Sequence, residues 1–251
     1  MLQRRGKEVG MVSKYSLAIT ALICVLFSAC RSLPWNRALP PGNEINLAFT
    51  IENNLIFLST VNVNLQPGRI LFGSAEPQTI LDPSYARRTG SSRCDFHLNE
   101  RAVLRCTPLV TSLRGVADAV VGADVWGSHA VTIDYRTGVV TYQIEGIHPD
   151  YMTVFRYDAA PAVVARIDGR DVNVIVDTTS PDTIVLPRGT AAAGRRKAHV
   201  VIAGTDFGNI DVAIGDVAAP RVGNRLLSRF LISIDYGKRE VGFWRDPRIA
   251  M

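Results

Sequence analysis

The sequence predicts a mostly-β protein made of two similar lobes with short helices. Three observations predict it. Val, Ile and Thr recur in short runs punctuated by Gly, Pro, Asn and Asp, the composition of strands and turns. VGADVWGSHAVTIDYRTGVVTY (121–142) aligns without a gap on VGNRLLSRFLISIDYGKREVGF (222–243) at an offset of 101. ILFGSAEPQTILDP (70–83) aligns on VIVDTTSPDTIVLP (174–187) at an offset of 104. The same ordered segments, met twice in 251 residues, mark a duplicated unit.

The chain is 47% hydrophobic and 20% charged, a globular composition. Residues 1–29 carry Arg4, Arg5, Lys7 and Lys14 against Glu8, which leaves 24 basic and 22 acidic residues beyond them. No basic stripe interleaved with aromatics exists, so a nucleic-acid partner is not expected. The GRRK cluster (194–197) reads as a solvated turn.

The N-terminus reads as a targeting segment. Lys14 precedes an apolar run from Leu17 to Phe27 that is too short to span a bilayer, which takes about 20 residues. Small residues and Cys30 follow, as after the apolar core of a secretory signal. FSAC (27–30) resembles the lipobox of bacterial lipoproteins, with Phe27 where Leu is usual. That resemblance implies lipidation of Cys30, a signal peptide over 1–29 and a Pro-rich tether over 30–44. Arg31 after the Cys implies, by the same resemblance, the outer membrane. An ordinary cleaved signal and a transmembrane anchor are the alternatives, and Met11 is a second candidate start.

Lobe 1 then covers 45–147 and lobe 2 covers 154–246, with EGIHPDYMT (145–153) as linker. In lobe 1, Cys94 and Cys106 flank a hairpin whose turn lies near Asn99. They can face each other across its base, as a disulfide in an oxidising compartment or as two buried thiols. His97, His129, His148 and His199 lack ligand-like spacing, so no metal and no cofactor is expected. Six of 22 aligned positions in the second repeat pair are identical, including Ile133/Ile234, Asp134/Asp235 and Tyr135/Tyr236. Each copy reads as a short helix, a strand ending in IDY, a turn and a second strand. Asp134 and Asp235 open those turns and are read as caps of the turn backbone.

The first repeat pair carries the chemistry. In lobe 2 a strand delivers Asp177, Thr178 and Thr179 into a turn, and TIVL (183–186) follows. This resembles the pepsin and retropepsin families of aspartic proteases, whose signature is Asp-Thr-Gly or Asp-Ser-Gly before such a run. VVG (120–122) and RVG (221–223) stand where those families thread an apolar-Gly strand beside the first. The resemblance implies a two-lobe acid-protease fold in which two carboxylates, one per lobe, share a proton and activate a water. It also implies that the hydroxyls Ser74 and Thr178 tie the lobes together. Lobe 1, however, has Gly73 where the Asp belongs and Ala75 where the second Gly belongs, and lobe 2 has Thr179 there. A β-branched Thr179 is expected to crowd its turn. Glu76 and Asp82 fall past the lobe 1 turn and are not expected to point into it, and Asp182 is expected to face solvent or cap a turn.

Asp177 is thus either a relic that accepts backbone hydrogen bonds or a functional group without its usual partner. Three readings follow. One is a cell-envelope lipoprotein with a degenerate aspartic-protease fold, whose interlobe cleft binds a peptide or protein segment with weak or no proteolysis. VVIAGTDFGNIDV (200–212) and DFHLNERAVL (95–104) would be its flaps, and Phe207 would line the cleft with Ser74 and Asp177. The second is an active aspartic endopeptidase that recruits a non-standard acid such as Glu76 or dimerises. The third is a structural module with a filled cleft.

Overall fold

The computed structural model describes residues 44–245 except 91–92, 99–101, 128, 144–145, 148–149 and 191–192. The signal, most of the tether and Cys30 lie outside the described residues. Residues Asn36–Met251 form one compact unit. Lobe 1 contributes β1 (Ile45–Glu52), β2 (Leu55–Leu58), β3 (Asn62–Val63), β4 (Ile70–Phe72), β5 (Ile80–Leu81), β6 (Cys94–His97), β7 (Val103–Cys106), β8 (Leu109–Val110), β9 (Ala119–Val121), β10 (Ala130–Asp134) and β11 (Val139–Gln143). Lobe 2 contributes β12 (Thr153–Arg156), β13 (Ala162–Ile167), β14 (Arg170–Val176), β15 (Ile184–Pro187), β16 (Gly194–Ile202), β17 (Thr205–Gly215), β18 (Arg221–Val222), β19 (Leu231–Asp235) and β20 (Glu240–Trp244). Among the described residues the helices are short: Pro83–Thr89, Ala123–Trp126 and Asn224–Leu227. The mostly-β, two-lobe reading of the sequence holds.

Each lobe threads one strand between two others. In lobe 1, β9 runs parallel to β4 and antiparallel to β5. In lobe 2, β18 runs parallel to β14 and antiparallel to β15. β4 and β9 have neighbours on both sides and are buried throughout, as their unbroken apolar sequences require. The glycine that ends each threaded strand allows a close backbone approach. A Cβ on Gly122 would lie 2.6 Å from the carbonyl carbon of Gln78, and one on Gly223 would lie 2.5 Å from the Ser180 oxygen.

The lobes meet in one antiparallel run of six strands, β12-β20-β19-β10-β11-β1. Its centre is the β10–β19 pair, where Thr132 stands opposite Ser233 and their hydroxyls hydrogen bond at 2.9 Å. Position 233 is 132 advanced by the repeat offset of 101, so these two residues are each other's repeat equivalents. A pseudo-two-fold axis therefore passes between them. Asp134 caps its turn through the Arg136 and Thr137 N–H groups, and Asp235 through that of Lys238, as the sequence suggested.

The lobes differ away from this axis. In lobe 2, six strands close into the barrel β13-β14-β18-β15-β17-β16. The β16–β17 hairpin, expected to be a flap, is built into that barrel through β13 and β15. Phe207 packs on Phe230, with ring centroids 5.7 Å apart. In lobe 1 the hairpin β6–β7 joins β3 in a separate three-stranded sheet, and its tip lies outside the described residues. Cys94 and Cys106 do stand opposite each other on it, buried, but as free thiols and not as a disulfide. The neighbouring Cys94 thiol and burial push the Cys106 thiol far up. Both pack in the apolar core that also holds Phe96 and Leu104.

Candidate functional site

The two aligned turns meet where the lobes touch. Four hydrogen bonds join them. The Ser74 N–H donates to Thr178 Oγ1 at 2.9 Å, and the Thr178 N–H donates to Ser74 Oγ at 3.0 Å. The Ser74 hydroxyl donates to the Val176 carbonyl and the Thr178 hydroxyl to the Phe72 carbonyl, each at 2.6 Å. The set is two-fold symmetric, since 176 and 178 are 72 and 74 advanced by 104. Both side chains are fully buried.

A second symmetric pair supports the turns, and it was not singled out for the site from sequence. The IDY tyrosines reach across the lobe boundary. The Tyr236 hydroxyl donates to the Ser74 carbonyl at 3.2 Å. The Tyr135 hydroxyl donates to Asn224 Oδ1 at 2.7 Å, and Asn224 Nδ2 donates to the Thr178 carbonyl at 2.6 Å. Burial raises the pKa of both phenols. The repeated Tyr in the two IDY segments was the available signal.

Asp177 sits at the end of β14, its N–H bonded to the Val222 carbonyl at 2.9 Å. Only 2% of it is exposed. Oδ1 accepts the Thr179 N–H at 2.9 Å and the Thr179 hydroxyl at 2.6 Å. Oδ2 accepts Arg221 Nη1 at 2.7 Å. Thr179 therefore caps the carboxylate and does not strain the turn: neither it nor Ala75 has a positive φ. Arg221 is the residue that sequence reading passed over. It stands in RVG where lobe 1 has Val120, a charge for an apolar residue at equivalent positions of a threaded strand. Its side chain is 31% exposed.

On the lobe 1 side Gly73 donates its N–H to the Val121 carbonyl at 3.0 Å. A Cβ there would lie 2.6 Å from Val120 Cγ1 and 3.0 Å from Glu76 Cγ. The space of a second carboxylate is thus closed by Val120, and Glu76 reaches back over it. This corrects the expectation that Glu76 points away. Burial raises the Glu76 carboxyl above its usual range, Asp177 raises it further and Arg221 opposes both. The other nearby acids do keep clear: Asp82 caps the Ser84 N–H and hydroxyl, and Asp182 pairs with Arg195 at 2.6 Å.

A cavity of about 200 Å³ adjoins Ser74, Ala75 and Glu76, walled across the seam by Tyr157, Pro161 and Tyr236. Among the described residues no cluster of His, Cys, Asp and Glu could hold a metal ion.

No protein-family model matches the chain, and no curated protein matches it by sequence. Among solved structures it is similar to the aspartic proteinase from Irpex lacteus. The TM-score is 0.54 at 11% identity, over 82% of this chain and 98% of that one. The likeness at that identity is one of fold, and the fold is that of a pepsin-like aspartic proteinase.

Proposed function

We propose that this chain is a peptide-binding protein that keeps the aspartic-protease fold without its proteolysis, held at the cell envelope by a lipid on Cys30. One observation carries the loss of proteolysis. Both oxygens of Asp177 are engaged, Oδ2 by a guanidinium and Oδ1 by Thr179, while its counterpart is Gly73. An acid dyad needs one ionised carboxylate free to take a proton from water and a second, protonated one beside it. In Asp177 a guanidinium holds Oδ2 and two Thr179 donors hold Oδ1, and Gly73 supplies no second carboxyl beside it. The intact lobe seam and the cavity beside Ser74 favour a retained cleft function, with an extended peptide pairing to exposed strand edges.

A second reading has one observation in its favour. Glu76 reaches the Gly73 position, and burial first and Asp177 second make it hold its proton more strongly, with Arg221 opposing. A Glu76–Asp177 pair could then support an active endopeptidase. The test is incubation of the purified protein with a diverse peptide mixture from pH 3 to 7, with Asp177→Asn and Glu76→Gln alongside. No cleavage by the folded wild type, with peptide retention on the immobilised protein, is the expected outcome. Cleavage lost in both variants would establish the second reading and overturn the first. The envelope location rests on the N-terminal sequence: Cys30→Ala should move the protein from the membrane pellet to the soluble fraction, and unchanged sedimentation would remove the anchor.

A further inference from the structure

The two lobes differ at one residue directly beneath their turns. In lobe 2, Asn224 fills the space between Tyr135 and the Thr178 carbonyl. Its repeat equivalent in lobe 1, at the offset of 101, is Ala123. Ala123 is too short to bridge, so Tyr236 reaches Ser74 directly. Ala123 instead lines the 200 Å³ cavity together with Ser74, Glu76, Tyr157 and Tyr236.

That volume holds more than a few waters, each of which takes roughly 10–15 Å³ on this measure. It accommodates a long side chain. Asp158 and Arg239 line it from exposed positions and oppose each other in sign. The interior charge is Glu76. Its carboxylate is half-buried and has no hydrogen-bond donor or ion-pair partner among the described residues. Tyr157 and Tyr236 line the same cavity, and the faces of such rings attract cations. Burying a carboxylate without a partner is costly, and a cationic ligand would remove that cost.

We propose that this cavity takes the ammonium or guanidinium end of a lysine or arginine side chain of the bound peptide, with Glu76 as its counter-ion and Tyr157 and Tyr236 as its walls. The inference rests on the peptide-binding reading above and specifies which peptides the cleft selects. It carries a sign in pH. Free Glu76 holds its proton above the ordinary carboxyl value of 4.5, through burial first and Asp177 second, with Arg221 opposing. A neutral Glu76 attracts a cation weakly. Affinity for the cationic peptide therefore rises with pH through the window just above 4.5, with a proton released on binding, and then levels off.

The experiment is calorimetry on the purified full chain with three probes. Two are random heptapeptide mixtures whose central residue is fixed as lysine or as norleucine, and the third is n-pentylammonium alone. The lysine mixture should bind roughly tenfold tighter than the norleucine mixture, the scale of one desolvated cation–π and ion contact. Glu76→Gln should bring it down to the norleucine level. Ala123→Asn, which extends a longer side chain from the cavity wall, should do the same and so controls for a folding defect in the first variant. Equal binding of both mixtures to the wild type overturns the proposal and leaves the peptide-binding reading standing. A lysine preference that survives both substitutions also overturns it. Pentylammonium binding that depends on Glu76, with no peptide binding, keeps the pocket and removes the peptide reading. Binding of none of the probes removes both.

Discussion

At the scale of single residues, the site is two matched substitutions. Lobe 1 has Gly73 against Val120, and lobe 2 has Asp177 against Arg221. Each pairing is self-consistent: the glycine leaves room for the valine methyl, and the carboxylate answers the guanidinium. Arg221→Leu should therefore isolate a carboxylate that is 2% exposed. Arg221 is itself 31% exposed, so the cost falls short of a fully buried pair and is about 1–3 kcal/mol. Urea denaturation reads it. Arg221→Leu with Asp177→Asn should recover much of the loss, because the orphan charge is then gone. A single variant as stable as wild type would mean that the ion pair contributes nothing to the fold. Asp177, Gly73 and the two hydroxyls were legible as motif positions. Arg221 was visible as the one charge in a repeated apolar motif, yet its target depended on which strand lay beside it. Glu76 was not legible, because three residues of turn geometry decide whether its side chain leads away from Gly73 or back over it.

At the scale of elements, the threaded strands β9 and β18 fix both turns in place. Each ends in a glycine that lets the strand pass under the carbonyls of the turn. Gly122→Ala and Gly223→Ala put a Cβ within 2.6 Å and 2.5 Å of backbone atoms. Backbone cannot rotate away as a side chain can, so each substitution should destabilise by at least the about 1–3 kcal/mol typical of overpacking. Gly223→Ala should also loosen the turn below Asp177, which the exchange of the Asp177 amide proton would report. Unchanged stability in both variants would show that the strands have slack and do not set the turns. These elements were readable because each is a short local pattern met twice in the same order. The β16–β17 hairpin was misread as a flap for the opposite reason. Its strands are correct in sequence, but its pairing with β13 and β15 closes a barrel over a separation that no local pattern records. The β6–β7 cysteines show the same limit. Their register was legible from the hairpin, and their redox state was not.

At the scale of the whole molecule, the chain behaves as a dimer made covalent. The six-stranded sheet is centred on a pair of repeat-equivalent residues, Thr132 and Ser233, and the hydroxyl and tyrosine networks obey the same axis. Lobe 2 alone would lose β10 and expose one edge of β19, including Ile232 and Ile234, both fully buried in the intact chain. An open edge with apolar side chains is a template for another strand. Its partner in the intact chain is a strand of its own kind, since β10 and β19 both end in Ile-Asp and lead into a Tyr. The isolated fragment 154–246 should therefore pair with itself through β19, with Ser233 opposite Ser233, and form a closed two-fold dimer. Sedimentation across concentrations should give a monomer–dimer equilibrium. Adding the lobe 1 fragment 45–147 should convert the dimer to the heterologous pair, because only that pair restores the Tyr135–Asn224 and Tyr236–Ser74 contacts. A lobe 2 fragment that stays monomeric while keeping its β circular dichroism would show that the axis is geometric only. The lobe seam would then depend on contacts specific to each side.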